Sequence, residues 1–398
     1  MNSIKKKIEW EKYILALSPI FLIFYISNET YAIDYRAFYL AGKSVLNNLN
    51  PYLNHISLSS DYYGPINSEL SKFSGWKYPP LASYIFTPLA SLPYEISKNI
   101  FNFISLLSVS FLTFFIIKKR IFYINPFSLI IVGISFPVLS IISRGQVEIL
   151  IVCIALISLY FYKQDKIFLS ANLIAILGFI KVFPLLLSFA FVRSYRKKKF
   201  FIYLIISFLI LYLLNLFLCP LEWRQSFIER IMVPWNQMPI GDLRELPKNL
   251  GVIKDSMMVR TSDARNLFHS HFFVFGYANP LLSSNLFLSG IIGTIGAVIC
   301  LFKYSKYSLT LCFFTIMNWI NIVNPISWIM GLFWYVPLFI FSYKKIKPSL
   351  KIIIALPLIL PPFLNVSGYL AALISLFIMQ FFSRESLNTF LNSKDTFI

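Results

Sequence analysis

Between Lys163-Gln164-Asp165-Lys166 and Arg193-Ser194-Tyr195-Arg196-Lys197-Lys198-Lys199 runs an apolar stretch, Ile167 to Val192, whose single charged residue lies in Gly178-Phe179-Ile180-Lys181-Val182-Phe183-Pro184. A helix crosses a ~30 Å hydrocarbon layer with ~20 apolar residues, and short basic runs stay on the cytoplasmic side. One straight crossing would place the two basic runs on opposite sides. Two short helices broken near Lys181, with Gly178 and Pro184 flanking the break, return both runs to the same side. The competing arrangement is one long tilted helix in which Lys181 snorkels to one face. A broken helix at membrane depth is tolerated where it lines a protein-walled, wet cavity. A charge at such a place is a functional candidate.

The rest of the chain follows the same grammar. Of 398 residues, 57% are apolar and 13% charged, and the mean hydropathy is +0.69. A soluble core needs no such excess. Unbroken apolar runs such as Phe200 to Cys219 contradict the ~10-residue alternation of a membrane β-barrel. The expected fold is all-α, a polytopic transmembrane bundle of about 12 helical passes, the broken hairpin counted as two. Spans are expected at about Tyr13–Ser27, Asn99–Ile117, Ile121–Ser143, Val147–Tyr162, the hairpin, Phe200–Cys219, Leu286–Phe302, Tyr307–Val323, Ile326–Ser342 and Leu350–Leu364, with a last one ending near Phe382. The first reads as a retained signal-anchor helix. Two long extracytoplasmic segments, residues 28–98 and 220–285, belong to one integral membrane domain spanning 1–398.

The chain has 36 Lys and Arg against 17 Asp and Glu, a formal charge of +19. The bases cluster in tight runs between apolar spans, Lys5-Lys6-Lys7, Lys118-Lys119-Arg120 and Lys344-Lys345 among them. That is topological charge, and it points away from nucleic acid as a partner. Four cysteines, Cys153, Cys219, Cys300 and Cys312, lie in or beside apolar runs with no close pair, as packing residues do. Gly-rich phosphate loops, His-Glu-x-x-His and Gly-x-Ser-x-Gly are missing, which excludes the familiar cytosolic nucleotide enzymes and hydrolases.

Polar chemistry gathers in the two outer segments: an early carboxylate, several Arg and His, and many aromatics. Asp34 precedes a helical pattern and serves either as a general base or as an N-cap. Lys181 and Arg144, with Arg260 and Arg265, are candidate cations for an anionic headgroup, the alternative being simple snorkelling. His269 and His271 lack a nearby carboxylate and make a poor metal set; no metal is expected, and they are candidate substrate contacts or surface histidines. Trp76, Tyr78, Trp223, Trp235 and Trp328 fall at expected interfaces, where most anchor the membrane and one or two stack on sugar. Asp61, Glu69 and Glu148 are further outer carboxylates, Glu148 at a helix start where it favours the dipole.

Asp34-Tyr35-Arg36-Ala37-Phe38-Tyr39-Leu40-Ala41-Gly42, then Asn50-Pro51-Tyr52, Lys77-Tyr78-Pro79-Pro80-Leu81, Pro88-Leu89 and Leu92-Pro93 follow one another in the first outer segment. Arg144-Gly145-Gln146, Ile180-Lys181-Val182-Phe183-Pro184 and Asn324-Pro325-Ile326-Ser327-Trp328 come later. In this order the chain resembles glycosyltransferase family 87, membrane mannosyltransferases of the GT-C class that use polyprenyl-phosphate sugars. The resemblance implies a catalytic Asp, matched by Asp34. It implies an inverting transfer of a hexose, mannose by family, from a polyprenyl-phosphate carrier to an extracytoplasmic glycan or glycolipid. The lipid-linked sugar is then a substrate and no separate cofactor is called for. Lys181, Arg144, Arg265 and Arg260 would hold the lipid phosphate, and Tyr35, Gln146, His269, His271, Tyr78 and Trp328 would contact substrate. The site would open on the extracytoplasmic face of a multi-pass plasma-membrane protein, whose partners are the bilayer, the donor lipid and the acceptor. Where family members often carry a His after the late Ser-Trp, this chain has Ile329-Met330-Gly331.

Two other functions use the same ingredients. A transporter or flippase of lipid-linked saccharides would show internal repeats and acidic groups within spans, and the expected spans lack both. A glycan polymerase or ligase would use diphosphate-linked chains and Arg-led chemistry, in place of an early Asp.

Overall fold

The computed structural model describes residues 33–53, 55, 76–118, 126–133, 135, 137–138, 141–142, 145–232, 277–278, 286–305, 308–323, 326–327, 329–343 and 348–359. Their regular structure is helical, apart from one two-residue antiparallel bridge. In chain order the helices are α1 (Ile33–Leu46), α2 (Pro80–Ser83), α3 (Thr87–Ala90), α4 (Tyr94–Lys118), α5 (Pro126–Gly133), α6 (Glu148–Lys163), α7 (Ile167–Ile180), α8 (Lys197–Leu218), α9 (Leu221–Met232), α10 (Leu286–Tyr304), α11 (Leu309–Val323), α12 (Val336–Tyr343) and α13 (Pro348–Ile359). Tighter 3₁₀ turns cover Tyr84–Phe86, Phe183–Phe191 and Ile329–Tyr335. The bridge pairs β1 (Tyr277–Ala278) with β2 (Ile326–Ser327).

The stretch around Lys181 is a broken hairpin. Helix α7 stops at Ile180, Lys181 turns extended at φ −132°, ψ 127°, and the chain resumes as the 3₁₀ run, with Pro184 in its first turn. Proline is at ease in a first turn and cannot sit within a continuing helix. The two arms pack on one another. At Gly178 a Cβ would fall 2.3 Å from the Leu185 side chain, which would have to move, so the close return of the chain favours glycine there. The far ends of both arms lie together: Arg196 Nη1 is 2.7 Å from Asp165 Oδ1, and the Tyr162 hydroxyl bonds Ser194. Both basic runs therefore share one end of the protein, as the hairpin arrangement requires and a single tilted helix forbids.

Helix α8 is long and apolar enough to cross a membrane; α7, the stretches 288–304 and 309–321, and 331–341 are shorter apolar helices. Its buried face is narrow, Phe200, Leu204 and Ser207, at a spacing of four and three. Ile202, Ile205, Leu209, Ile210, Leu213 and Phe217 stand exposed around the rest. The helix ends where Pro220 forces Cys219 into extended backbone, φ −105°, ψ 122°.

Helices α6, α7 and α8 form a sequential stack, while α10 and α11 pair beside the 3₁₀ arm of the hairpin. Polar stitches fix their register. Ser158 Oγ donates to Ser170 O at 2.9 Å between α6 and α7, Ser207 bonds Asn172 between α8 and α7, and Ser289 donates to the Val323 carbonyl between α10 and α11. All four cysteines are buried and free, as packing residues should be.

Residues 33–53 and 76–93 fold as a cap on the bundle. Within α1, Tyr35 stacks on Phe101 of α4 at 4.6 Å, and Phe38 stacks on Phe86 at 4.8 Å. The Pro-rich piece becomes α2, the following 3₁₀ turn and α3, packed against α1. Trp76 and Trp223, expected as membrane anchors, are core residues with 1% and 5% exposure. Trp76 lies within 6.0 Å of the rings of Phe38, Tyr78 and Phe86, and this aromatic nest withdraws it from any interface. Expected span boundaries also move: α4 begins at Tyr94 rather than Asn99, because Tyr94 and Ser97 already pack on α1.

Candidate functional site

Three separate pieces of chain meet around Lys181. The first is the turn before α6. Gly145 has φ 69°, its N–H bonds Ile142 O at 3.1 Å, and the Gln146 N–H bonds Ile141 O at 2.9 Å. Paired bonds of this span around a left-handed glycine close off a helical turn. The chain is then redirected within two residues and restarts as α6 at Glu148. The glycine of Arg144-Gly145-Gln146 thus has a backbone reason, and it delivers Gln146 and Glu148 to one corner.

The second piece is the hairpin break. Lys181 Nζ donates to Glu148 Oε1, with the lysine side chain 24% and the glutamate 10% exposed. A buried carboxylate is retained only when its charge is matched and hydrogen-bonded, and Lys181 does both. Glu148, which sequence reasoning gave only a helix-dipole role, is therefore the principal residue missed. Its partner lies 33 positions away, and no local signal announces it.

The third piece is the cap. The ammonium of Lys181 lies 5.7 Å from the Tyr78 ring centroid. Burial pushes the Tyr78 phenol up to about 12; the positive charge of Lys181 opposes the shift, while Glu148 and Asp34 reinforce it. Asp34, half-buried in the first turn of α1, is thus within electrostatic reach of the same hydroxyl as Lys181 and Glu148. As a carboxylate in a first turn it also faces the positive end of the α1 dipole.

Hydrogen bonds hold the cap over this corner. Tyr52 donates its hydroxyl to Tyr78 O at 2.5 Å, and Asn50 Nδ2 donates to Ser226 Oγ at 2.9 Å and Glu222 Oε1 at 3.2 Å on α9. Leu81 N donates to Asn215 Oδ1 at 3.2 Å, and Tyr84 donates its hydroxyl to Leu218 O at 2.8 Å. The cap is thereby tied to the end of α8 opposite its basic start. Asn50-Pro51-Tyr52, singled out in the sequence, owes its pattern to this attachment.

Among residues expected to touch substrate, Tyr35 goes elsewhere. It has no exposure, its hydroxyl bonds Ser97 and its ring packs on Phe101, so it holds α1 on α4. Tyr78 stands at the corner just described, and Gln146 lies two residues before Glu148 with its side-chain oxygen buried. Arg144, Arg260, Arg265, His269, His271 and Trp328 lie outside the described residues, as do Asp61, Glu69 and Trp235. Arg36, two residues after Asp34, is buried with its guanidinium 5.4 Å from the Tyr94 ring centroid. No group of three or more His, Cys, Asp or Glu with the makings of a metal site occurs among the described residues.

A helical protein with carboxylates, a cation and a phenol collected at one corner has the equipment of a group-transfer enzyme, and comparison with known families gives that class its chemistry: sugar transfer. The chain belongs to glycosyltransferase family 87, whose model matches residues 76–321. The match includes Tyr78, Gln146, Glu148 and Lys181 and stops short of Asp34 and of Asn324-Pro325. None of the curated proteins and none of the solved structures matches the chain.

Proposed function

We propose that this glycosyltransferase is a multi-pass plasma-membrane enzyme that moves a hexose, mannose by family, from a polyprenyl-phosphate carrier to an extracytoplasmic glycan or glycolipid, with inversion. The observation that carries the proposal is the meeting of Lys181 and Tyr78, with Asp34 within electrostatic reach of the Tyr78 hydroxyl, at the end of the bundle away from the Asp165–Arg196 pair. The exposed apolar faces of α8 and α10 supply the lipid-facing surface. Together with the charge pattern they support about twelve passes in a single membrane domain, with residues 28–98 and 220–285 on the outer side.

A sugar hydroxyl is a weak nucleophile, so Asp34 accepts its proton as the oxygen attacks the anomeric carbon from the face opposite the phosphate. The bond from that carbon to the phosphate oxygen breaks, and its electron pair leaves with the lipid phosphate. The departing group is already an anion, so it needs a cation rather than an acid. Lys181 provides that charge in a partly desolvated place, where it is worth more than in water. Arg144, Arg260 and Arg265 complete the phosphate surroundings, and His269, His271 and Trp328 contribute to the acceptor side.

Purified protein in lipid, supplied with radiolabelled polyprenyl-phosphate hexose and acceptor, tests this reading through Asp34→Asn. The amide keeps the shape and abolishes the base. Turnover is expected to fall by ~10²–10⁴ with donor binding retained; an active Asn variant returns Asp34 to a purely structural place in α1.

A further inference from the structure

Two buried acceptor atoms at the corner take no hydrogen bond from any described residue: Gln146 Oε1 and Glu148 Oε2. They are two residues apart, delivered together by the Gly145 turn. The other oxygen of the same glutamate holds Lys181. A buried acceptor without a donor costs about 1–3 kcal/mol, and an ionised carboxylate can only accept. Whatever satisfies these atoms must therefore bring protons to donate. A lipid phosphate has only acceptor oxygens and cannot do so. Sugar hydroxyls can.

Lys181 complements this chemistry. Its ammonium has three donors; one goes to Glu148, which leaves donors to meet a phosphate oxygen. In a polyprenyl-phosphate sugar the ring begins one oxygen beyond phosphorus. A phosphate held at Lys181 thus brings the first ring hydroxyls toward the carboxylate of Glu148, with Gln146 two residues away along the chain. Resting on the lipid-linked donor reading above, we infer that Glu148 and Gln146 form the subsite that binds the hydroxyl groups of the transferred sugar, and that Glu148 is a specificity-determining residue of this enzyme.

The division of labour is specific: the cation takes the phosphate, the two acceptors take the sugar. A site built to bond a hydroxyl strongly rejects a ligand that lacks it, because its own polar groups are then left unpaired. The wild-type protein in lipid nanodiscs is titrated with two probes, a short-chain polyprenyl phosphate and the same lipid carrying a hexose. It is expected to prefer the glycosylated lipid. Glu148→Gln and Gln146→Leu are each expected to erase that preference by about tenfold or more; in Gln146→Leu, which leaves the ion pair in place, affinity for the bare lipid phosphate is expected to stay within about twofold.

Weakening of both lipids together in Glu148→Gln, with the preference intact in Gln146→Leu, overturns the inference: the glutamate then acts only by holding Lys181. An unchanged preference in both variants overturns it equally, as does a wild-type protein that binds the two probes alike. In these cases the lipid-linked donor stands. Wild-type protein that binds neither lipid removes the donor reading itself and the subsite with it. Gln146→Leu leaves the ion pair untouched, so it decides the matter even if Glu148→Gln fails to fold.

Discussion

Lys181 Nζ donates to Glu148 Oε1 across the gap between the hairpin break and the first turn of α6, joining the one charged residue of an apolar stretch to a carboxylate 33 positions earlier. That contact aligns the hairpin with α6, and Tyr78 of the cap closes over it.

Breaking the pair from one side leaves a charge in poor solvent, whereas removing both partners does not. Lys181→Met is expected to destabilise the protein by about 1–3 kcal/mol, between the values for buried and exposed pairs because the lysine keeps some solvent contact. The double variant Lys181→Met/Glu148→Leu is expected to recover most of the loss. Unfolding midpoints of the purified proteins in one detergent check this, and a double variant no better than the single one would show that the pair is not coupled.

Alkaline stability offers a second test through Tyr78. Its folded phenol titrates near 12, above the ordinary value of 10.0. Below pH 10 both folded and unfolded chains keep the proton, so nothing is lost. Between the two values the unfolded chain releases it and the folded chain does not, so stability falls as pH rises. The buried phenols of Tyr35 and Tyr52 are raised as well and act with the same sign. Tyr78→Phe is therefore expected to shallow, without abolishing, the decline of the heat-unfolding midpoint between pH 10 and 12, and an identical slope in the variant refutes the assignment.

Tyr52 is a positioning residue: it bonds the backbone of Tyr78 rather than any reacting group. Tyr52→Phe keeps the ring in its pocket and deletes one hydrogen bond, a cost of about 0.5–1.5 kcal/mol. Expected in a transfer assay is a reduced kcat at nearly unchanged KM for acceptor, since the cap still forms while Tyr78 loses its fixed height over Lys181. A fall in stability with no change in kcat would make Tyr52 a mere packing residue.

The hairpin topology predicts opposite accessibility for two residues at the two ends of its second arm. Val182 at the break is 68% exposed, and Tyr195 in the basic run is 82% exposed. In a background with the four native cysteines replaced, Val182→Cys is expected to react with a membrane-impermeant maleimide from outside intact cells. Tyr195→Cys should react only after the membrane is opened. Reaction of both from the same side would invalidate the placement of Lys181 at the outer boundary.

The family and the break at Lys181 are both legible in the order of residues along the chain, for different reasons. Ordered short motifs identify the family. The break follows from charge bookkeeping along one dimension: two basic runs that share a side, one lysine between them, and a glycine and a proline to stop the helices. Other features are invisible at that level. Tyr35 sits in a family motif beside Asp34, where contact with substrate is the natural expectation, yet its neighbour across space, Ser97, turns it into the core. Trp76 carries the composition of an interface anchor and lies in a nest of rings instead.

The sequence by itself determined that this chain is helical, that its charge is distributed as in a membrane protein, and that its chemistry belongs to family 87, because hydropathy, charge and motif order are properties of consecutive residues. Only the tertiary structure decided which charged groups meet. The pairing of Glu148 with Lys181, and the approach of Tyr78 and Asp34 to them, depend on how α1, α6 and α7 are rotated about their axes and packed. Low-dielectric burial makes a matched partner obligatory without saying where along the chain it will be found.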